Sequence, residues 1–358
     1  KPGELPQGLT QVSGSSSANP DSDLPELLRL TRDAKIIGLG EAAHTSEGFY
    51  EAKVRILKTL ILHDGLRRIG FEDSSMSMEA VEDYLQSGKG SAKAALAGTS
   101  PVWHSQTIAE FVDWLRAYNV EQPNNPIHVF GFDAPSFKQM EELIGHLKID
   151  VVPDSLTQLK GCLAEFQKTD SLKASDCDSC LSASEAYELL PEPYLSREKA
   201  SYEGSVKRLC QAKDSHAYQN LRDETMAKLV LFDAKESGNP KTALWSANGH
   251  IAKKHADSTV IPMGQHLARE FDKAYVAIQI VAETYETSPK LALAPSQTKP
   301  ADGSPEEWLA SFHKETVFVD LTRIDPSIFG LAKEKAQDAT TYVDGIYYIK
   351  HSPAMRDF

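Results

Sequence analysis

The sequence predicts an α/β protein with a mostly parallel central sheet, helices on both faces and a helical insertion. Short apolar runs of strand length alternate with segments whose apolar residues recur at helical spacing, the pattern of successive strand–helix–strand crossovers. Several of these runs end in acids, amides or histidines, which places polar groups at the carboxyl ends of strands, where open α/β sheets bind ligands. From about 136 to 235 no strand pattern is visible, a stretch too long for a plain crossover, so it reads as a helical insertion packed beside the sheet.

Taken in order, residues 1–22 read as a flexible leader on the strength of Pro2, Pro6, Pro20 and the run Gly14-Ser15-Ser16-Ser17, and residues 23–358 as one domain. A chain that begins at Lys1 rather than Met is expected to have lost a segment at its start, either an export signal or a stretch left off when the chain was expressed, and the sequence does not choose between them. Asp23 caps a short helix over 24–30, with Pro25 tolerated in its first turn. Residues 35–39 form an apolar strand, the glycines at 38 and 40 permit a sharp turn, and Ser46 with Glu47 caps a helix over 47–63. That helix repeats Phe49, Val54, Ile56, Leu57, Leu60 and Ile61 and stops at Gly65.

A second strand over 66–71 ends in Glu72-Asp73. Helices follow over about 76–86 and 106–118, with Trp103-His104 between them and Ile108, Phe111, Val112 and Leu115 on one face of the second. Pro123 and Pro126 bracket a turn before a third strand over 127–132, which ends in Asp133. After the insertion the sheet resumes at 242–245 and runs out near Asn248-Gly249-His250. Residues 265–271 read as helix, 274–281 as a buried strand, 287–307 as a polar loop placed to act as a lid, and 316–321 and 341–349 as late strands.

The balance of 51 acidic against 38 basic residues gives a net charge of −13, which argues against nucleic acid and anionic membrane surfaces as partners. No apolar run approaches the roughly 20 residues of a membrane helix. Nothing in the pattern specifies an oligomeric state. All 4 cysteines, Cys162, Cys177, Cys180 and Cys210, fall in the insertion, an arrangement that suits two disulfides in an exported protein; a zinc site and buried thiols are the alternatives.

The candidate chemistry gathers at the strand ends: Glu41 with His44, Glu72 with Asp73, Asp133, and Asn248 with His250. One acid after a strand is an ordinary cap or turn former, but several on one rim form a site. Carboxylates beside imidazoles fix the ring tautomer and raise its basicity, which is what a general base needs to take a proton from water. His44 is the expected base, Glu41 or Glu72 its orienting partner, and His250 the group that polarises a carbonyl or protonates a leaving oxygen. Lys53 is expected to support a developing oxyanion or neutralise the carboxylates, and His104, Asp133, Asn248 and His266 are placed at the pocket as substrate contacts.

Other chemistries fit less well. Gly38-Leu39-Gly40-Glu41-Ala42-Ala43 formally matches a dinucleotide fingerprint, but Glu41 would meet the pyrophosphate and the following helix starts too late. There is no Gly-x-Ser-x-Gly elbow, no His-Glu-x-x-His helix and no Walker loop. Glu41, His44, Glu72 and His250 are donors that suit zinc or manganese, yet their spacing requires neither: no cofactor is expected, and a divalent metal held by these groups stays open as the alternative.

Gly38-Leu39-Gly40-Glu41-Ala42-Ala43-His44, Gly70-Phe71-Glu72, Trp114-Leu115-Arg116-Ala117-Tyr118-Asn119, Gly131-Phe132-Asp133, Asn248-Gly249-His250 and Pro262-Met263-Gly264-Gln265-His266-Leu267 occur in an order that resembles the erythromycin esterase family. The resemblance runs from about residue 24 to the C-terminus. It implies a hydrolase that opens the lactone ester of macrolides without a serine nucleophile, using a histidine to activate water. On this resemblance the family's motif histidine and glutamate fall on His44 and Glu41, its second-strand acid on Glu72 and its helix base on Lys53. Its late motif usually carries two histidines, and here Ala247 stands in place of the first while His250 remains. The expected substrate is therefore a small-molecule ester or lactone; a catalytically impaired binding protein of the same fold is the alternative.

Overall fold

Ile36–Glu41 (β2) is buried along its whole length and sits near the middle of an eight-stranded sheet. A computed structural model describes residues 5, 7–12, 24–145, 154–166, 174–189, 194–291, 293, 295–324 and 342–358. The other strands are β1 (Leu9–Gln11), β3 (Arg68–Ser74), β4 (His128–Asp133), β5 (Thr242–Ala247), β6 (Tyr275–Tyr285), β7 (Thr316–Asp320) and β8 (Gly345–Ser352), in the spatial order β1-β7-β8-β6-β2-β5-β3-β4. From β8 to β4 all neighbours are parallel, and β7 and β1 add an antiparallel edge. Parallel pairing brings the carboxyl ends of β2, β3, β4 and β5 to one rim.

The helices are α1 (Pro25–Thr31), α2 (Glu47–His63), α3 (Ser75–Ser87), α4 (Ala92–Leu96), α5 (Gln106–Glu121), α6 (Phe137–Gly145), α7 (Asp154–Phe166), α8 (Ala174–Ser182), α9 (Tyr194–Gln211), α10 (Ser215–Glu236), α11 (Asn248–Ile251), α12 (Met263–Phe271) and α13 (Pro305–Ala310). One face of the sheet packs on α1, α2, α3 and α5 through a core that includes Phe49, Ile56, Leu60, Trp103, Phe111 and Trp245. The other packs on α10, α12 and α13 through Met226, Val230, Leu244, Met263, Leu267 and Leu309. Between β4 and β5 the described residues form helices and short turns without a strand, and α6, α7, α8 and α9 share a separate cluster built on Met140, Leu159, Leu163, Tyr187, Tyr202 and Val206. Disulfides Cys162–Cys180 and Cys177–Cys210 tie α7 to α8 and α8 to α9.

Three expectations are corrected. The leader is not flexible throughout: Leu9–Gln11 pairs antiparallel with β7, because β7 leaves a free edge and Leu9 and Val12 supply apolar side chains to bury against it. The remaining leader residues, 1–4, 6 and 13–22, lie outside the described residues. The last strand starts at Gly345 and runs to Ser352, with residue 341 outside the described residues. The loop over 287–307 is fastened at its start, where the Ser288 N–H donates to the Thr45 carbonyl and hydroxyl, and its end is occupied by α13.

Candidate active site

β2 delivers Glu41, and the turn after it delivers His44. Thr45 takes a left-handed backbone (φ 67°) that costs a non-glycine residue about 1 kcal/mol or more, and three contacts hold it there. Its N–H donates to the Tyr50 hydroxyl at 2.8 Å, and its carbonyl accepts from the N–H groups of Ser288 and Met355. His44 Nδ1 lies 2.6 Å from Oε1 of the fully buried Glu41, which fixes the proton on Nδ1 and leaves Nε2 for chemistry. Burial works against the imidazolium, but the Glu41 hydrogen bond and the charges of Glu41 and Glu72 outweigh it, so the His44 pKa is raised above the ordinary histidine value.

The second Glu41 oxygen is ion-paired with Lys53 Nζ, which reaches in from α2, donates to the Ser246 carbonyl at 2.8 Å and lies 5.1 Å from the centre of the Trp245 ring. Lys53 is fully buried, and burial lowers its pKa to about 8 against the pull of Glu41 and Glu72. Gly40 makes room on the other side: a Cβ there would sit 2.3 Å from Asn248 Oδ1.

Glu72, at the end of β3, is the hub. Its Oε2 accepts from the Ser246 hydroxyl at 2.7 Å and the Ala247 N–H at 2.9 Å, and lies 3.9 Å from His44 Nε2. Its Oε1 accepts from Arg222 Nη2 at 2.9 Å and lies 3.3 Å from His250 Nε2. Burial alone would raise this carboxyl, but His250, His44 and Arg222 hold it well below the usual range. Asp133, at the end of β4, accepts from Arg222 through Nε at 3.0 Å and Nη2 at 2.6 Å.

His250 Nδ1 donates to Asp223 at 2.8 Å, while its Nε2 lies 3.0 Å from Arg222 Nη1. A neutral ring would accept from Arg222; a protonated ring donates to Glu72. Burial opposes the charge, but Glu72 and Asp223 raise the pKa to about 10, and because the guanidinium is already matched by Asp133 and Glu72 the charged ring prevails at neutral pH.

These groups border a cleft of about 320 Å³ whose wall includes His44, Glu72, Asp73, Asp133, Gln139 and Arg222. Glu41, Lys53 and His250 stand behind that wall. The Asp73 carboxylate accepts the Ser74 and Ser100 N–H groups, each at 2.6 Å, and burial raises its pKa, with Asp133 adding to the effect. Asn248 packs on Gly40 and donates to the Ile280 carbonyl at 3.1 Å. His104 turns away, with Nε2 3.0 Å from the Leu96 carbonyl oxygen and its ring 5.6 Å from that of Phe358, and His266 sits half-buried on α12; neither lines the cleft.

Arg222 and Asp223 are the site residues that sequence reasoning missed. The signal was there in α10: Asp223 occupies the same stripe as Met226, Ala227, Val230 and Ala234, and a charged residue on the buried stripe of a helix needs a partner. Among the described residues no group of three or more His, Cys, Asp and Glu side chains is arranged to hold a metal ion. The cations of Lys53 and Arg222 instead pair with these carboxylates.

The sequence pattern of the erythromycin esterase family matches residues 61–348. This chain belongs to the erythromycin esterase family. Erythromycin esterase type I of Escherichia coli is 23% identical over 333 residues, covering 80% of this chain and 81% of the relative. A solved Bacillus cereus protein superposes with a TM-score of 0.80 at 18% identity, covering 98% of this chain and 97% of that one. A mutant of erythromycin esterase EreC in its open conformation gives a TM-score of 0.69 at 18% identity, over 96% and 98% of the two chains. At such identities the solved structures establish the erythromycin esterase fold. The family match begins after Glu41 and His44 and takes in Glu72, Asp133, Arg222 and His250.

Proposed function

We propose that this protein hydrolyses carboxylic esters by activating a water on His44, without a serine nucleophile and without a metal ion. One observation carries the reading: His44 presents Nε2 at the cleft with Nδ1 locked on Glu41 at 2.6 Å and with Glu72 Oε2 3.9 Å from Nε2. A water seated about 2.8 Å from both atoms would be held by Glu72 and deprotonated by His44. The water oxygen attacks the ester carbonyl carbon, its proton passes to Nε2, and the carbonyl π electrons move onto oxygen. Collapse of that tetrahedral intermediate expels the alkoxide, which takes the proton back from His44. Glu41 keeps the ring in the productive tautomer and is itself balanced by Lys53.

Macrolide lactones are the substrates to try first, because the relatives' names point to them. The two disulfides favour an oxidising compartment and hence export. The test is mass spectrometry of erythromycin incubated with the purified protein, with and without a chelator. Gain of one water in both samples is expected; loss of product with the chelator overturns the metal-free mechanism.

A binding role is the second reading, and Ala247 favours it. This residue lies in register with Glu41, and its N–H donates to Glu72, yet its side chain brings no acid or base to the rim. Absence of turnover together with tight binding of an unmodified macrolide would select it.

A further inference from the structure

We infer that Arg222 is a catalytic residue, the group from the helical insertion that donates to the oxyanion formed at the cleft. The inference rests on the ester hydrolase reading above. Arg222 comes from α10 and His44 from the turn after β2, and both side chains line the same 320 Å³ space. Hydrolysis by water needs a base on one side of the carbonyl and a donor aimed at the oxygen. His44 meets the first need. Lys53 cannot meet the second: its ammonium is fully buried between Glu41, the Ser246 carbonyl and Trp245, and it does not line the cleft. His250 also stands behind the wall, with Nδ1 held by Asp223 and Nε2 facing Glu72 and Arg222.

The guanidinium has the right bookkeeping of donors. Its Nε–H and both Nη2–H groups are taken by Asp133 and Glu72, which fix the plane of the fork and keep the charge from drawing in an anion of its own. Nη1 carries two more N–H groups and meets no carboxylate; its one neighbour of hydrogen-bonding distance is His250 Nε2. At least one Nη1–H therefore has no partner in the protein among the described residues, on a side chain that lines the cleft. In the reaction this N–H donates to the carbonyl oxygen as negative charge builds there, and no proton leaves the arginine. Asp133 and Glu72 then act as positioning residues that hold the fork.

The test compares wild type, Arg222→Lys and His44→Ala on erythromycin and on 4-nitrophenyl acetate, with thermal melts of all three. Lysine keeps the charge facing Glu72 and Asp133 but loses the fixed fork, so kcat should fall about 100-fold with KM changed less than about threefold and the melt nearly preserved. A second variant, Arg222→Ala, should regain turnover in added guanidinium at tens of millimolar and not in equivalent ammonium. Full kcat in Arg222→Lys while His44→Ala is dead would overturn the role of Arg222 and leave the hydrolase reading standing. No turnover by wild type on either ester would overturn both.

Discussion

The two halves of the site are built in different ways. Glu41, His44, Lys53 and Glu72 belong to the central strands β2 and β3 or to the turn and helix that follow β2, and the sheet register itself aligns Glu41 with Ala247 and with Ile280. Arg222 and Asp223 belong to α10, whose later residues enter the sheet core at Met226 and Val230 while its early part packs on α9 of the disulfide-braced insertion. His44 thus stands on the turn after the fully buried central strand, and Arg222 on a helix that joins the sheet core to the insertion.

The sharpest way to break the sheet half is Lys53→Met. It leaves the Glu41 carboxylate buried without its ammonium, and the loss should be about 3–5 kcal/mol in a denaturant titration, with the insertion losing structure in the same transition. A smaller effect should separate the halves. Cys162→Ser with Cys180→Ser opens a closure spanning 18 residues, worth about 3 kcal/mol, and hydrogen exchange should quicken in α7–α9 while the amides of β2 and β5 stay protected.

The mildest effect links them through protons. His250 has its folded pKa raised from 6.5 to about 10, and His44 is raised as well, so their contribution is complete below pH 6.5 and is lost as pH climbs. Lys53, lowered to about 8, works the other way only above that pH, where losing its proton relieves its burial. Stability should therefore fall by about 1–2 kcal/mol between pH 6.5 and 8. Urea midpoints at those two pH values, with His250→Asn showing a flatter response, check it.

The same division decides what could be read from the sequence. The strands of the parallel core announce themselves as apolar runs, and Glu41, Glu72 and Asp133 follow them immediately, so strand ends give away their residues. Lys53 was visible as a helix residue but not as a buried one, because burial depends on Trp245 and Ser246, nearly two hundred positions away. Arg222 sits among the ordinary charges of a long helix, Asp223 shows itself only by its place on the buried stripe, and their partners come from β3, β4, α11 and α12. His104 and His266 look promising by type, yet one turns to the Leu96 carbonyl and the other sits half-buried on α12, and neither lines the cleft. The edge strand β1 carries too few residues to show a period.

The measurement that bears most directly on the account is turnover of erythromycin by His44→Ala against wild type, with the thermal melt of each recorded alongside. The account predicts a hydrated product from wild type, none from the variant, and melting temperatures within a few degrees, since His44 lies at the cleft while Glu41 keeps its Lys53 partner. Product formed by His44→Ala at the wild-type rate would contradict it, because another group would then be activating the water.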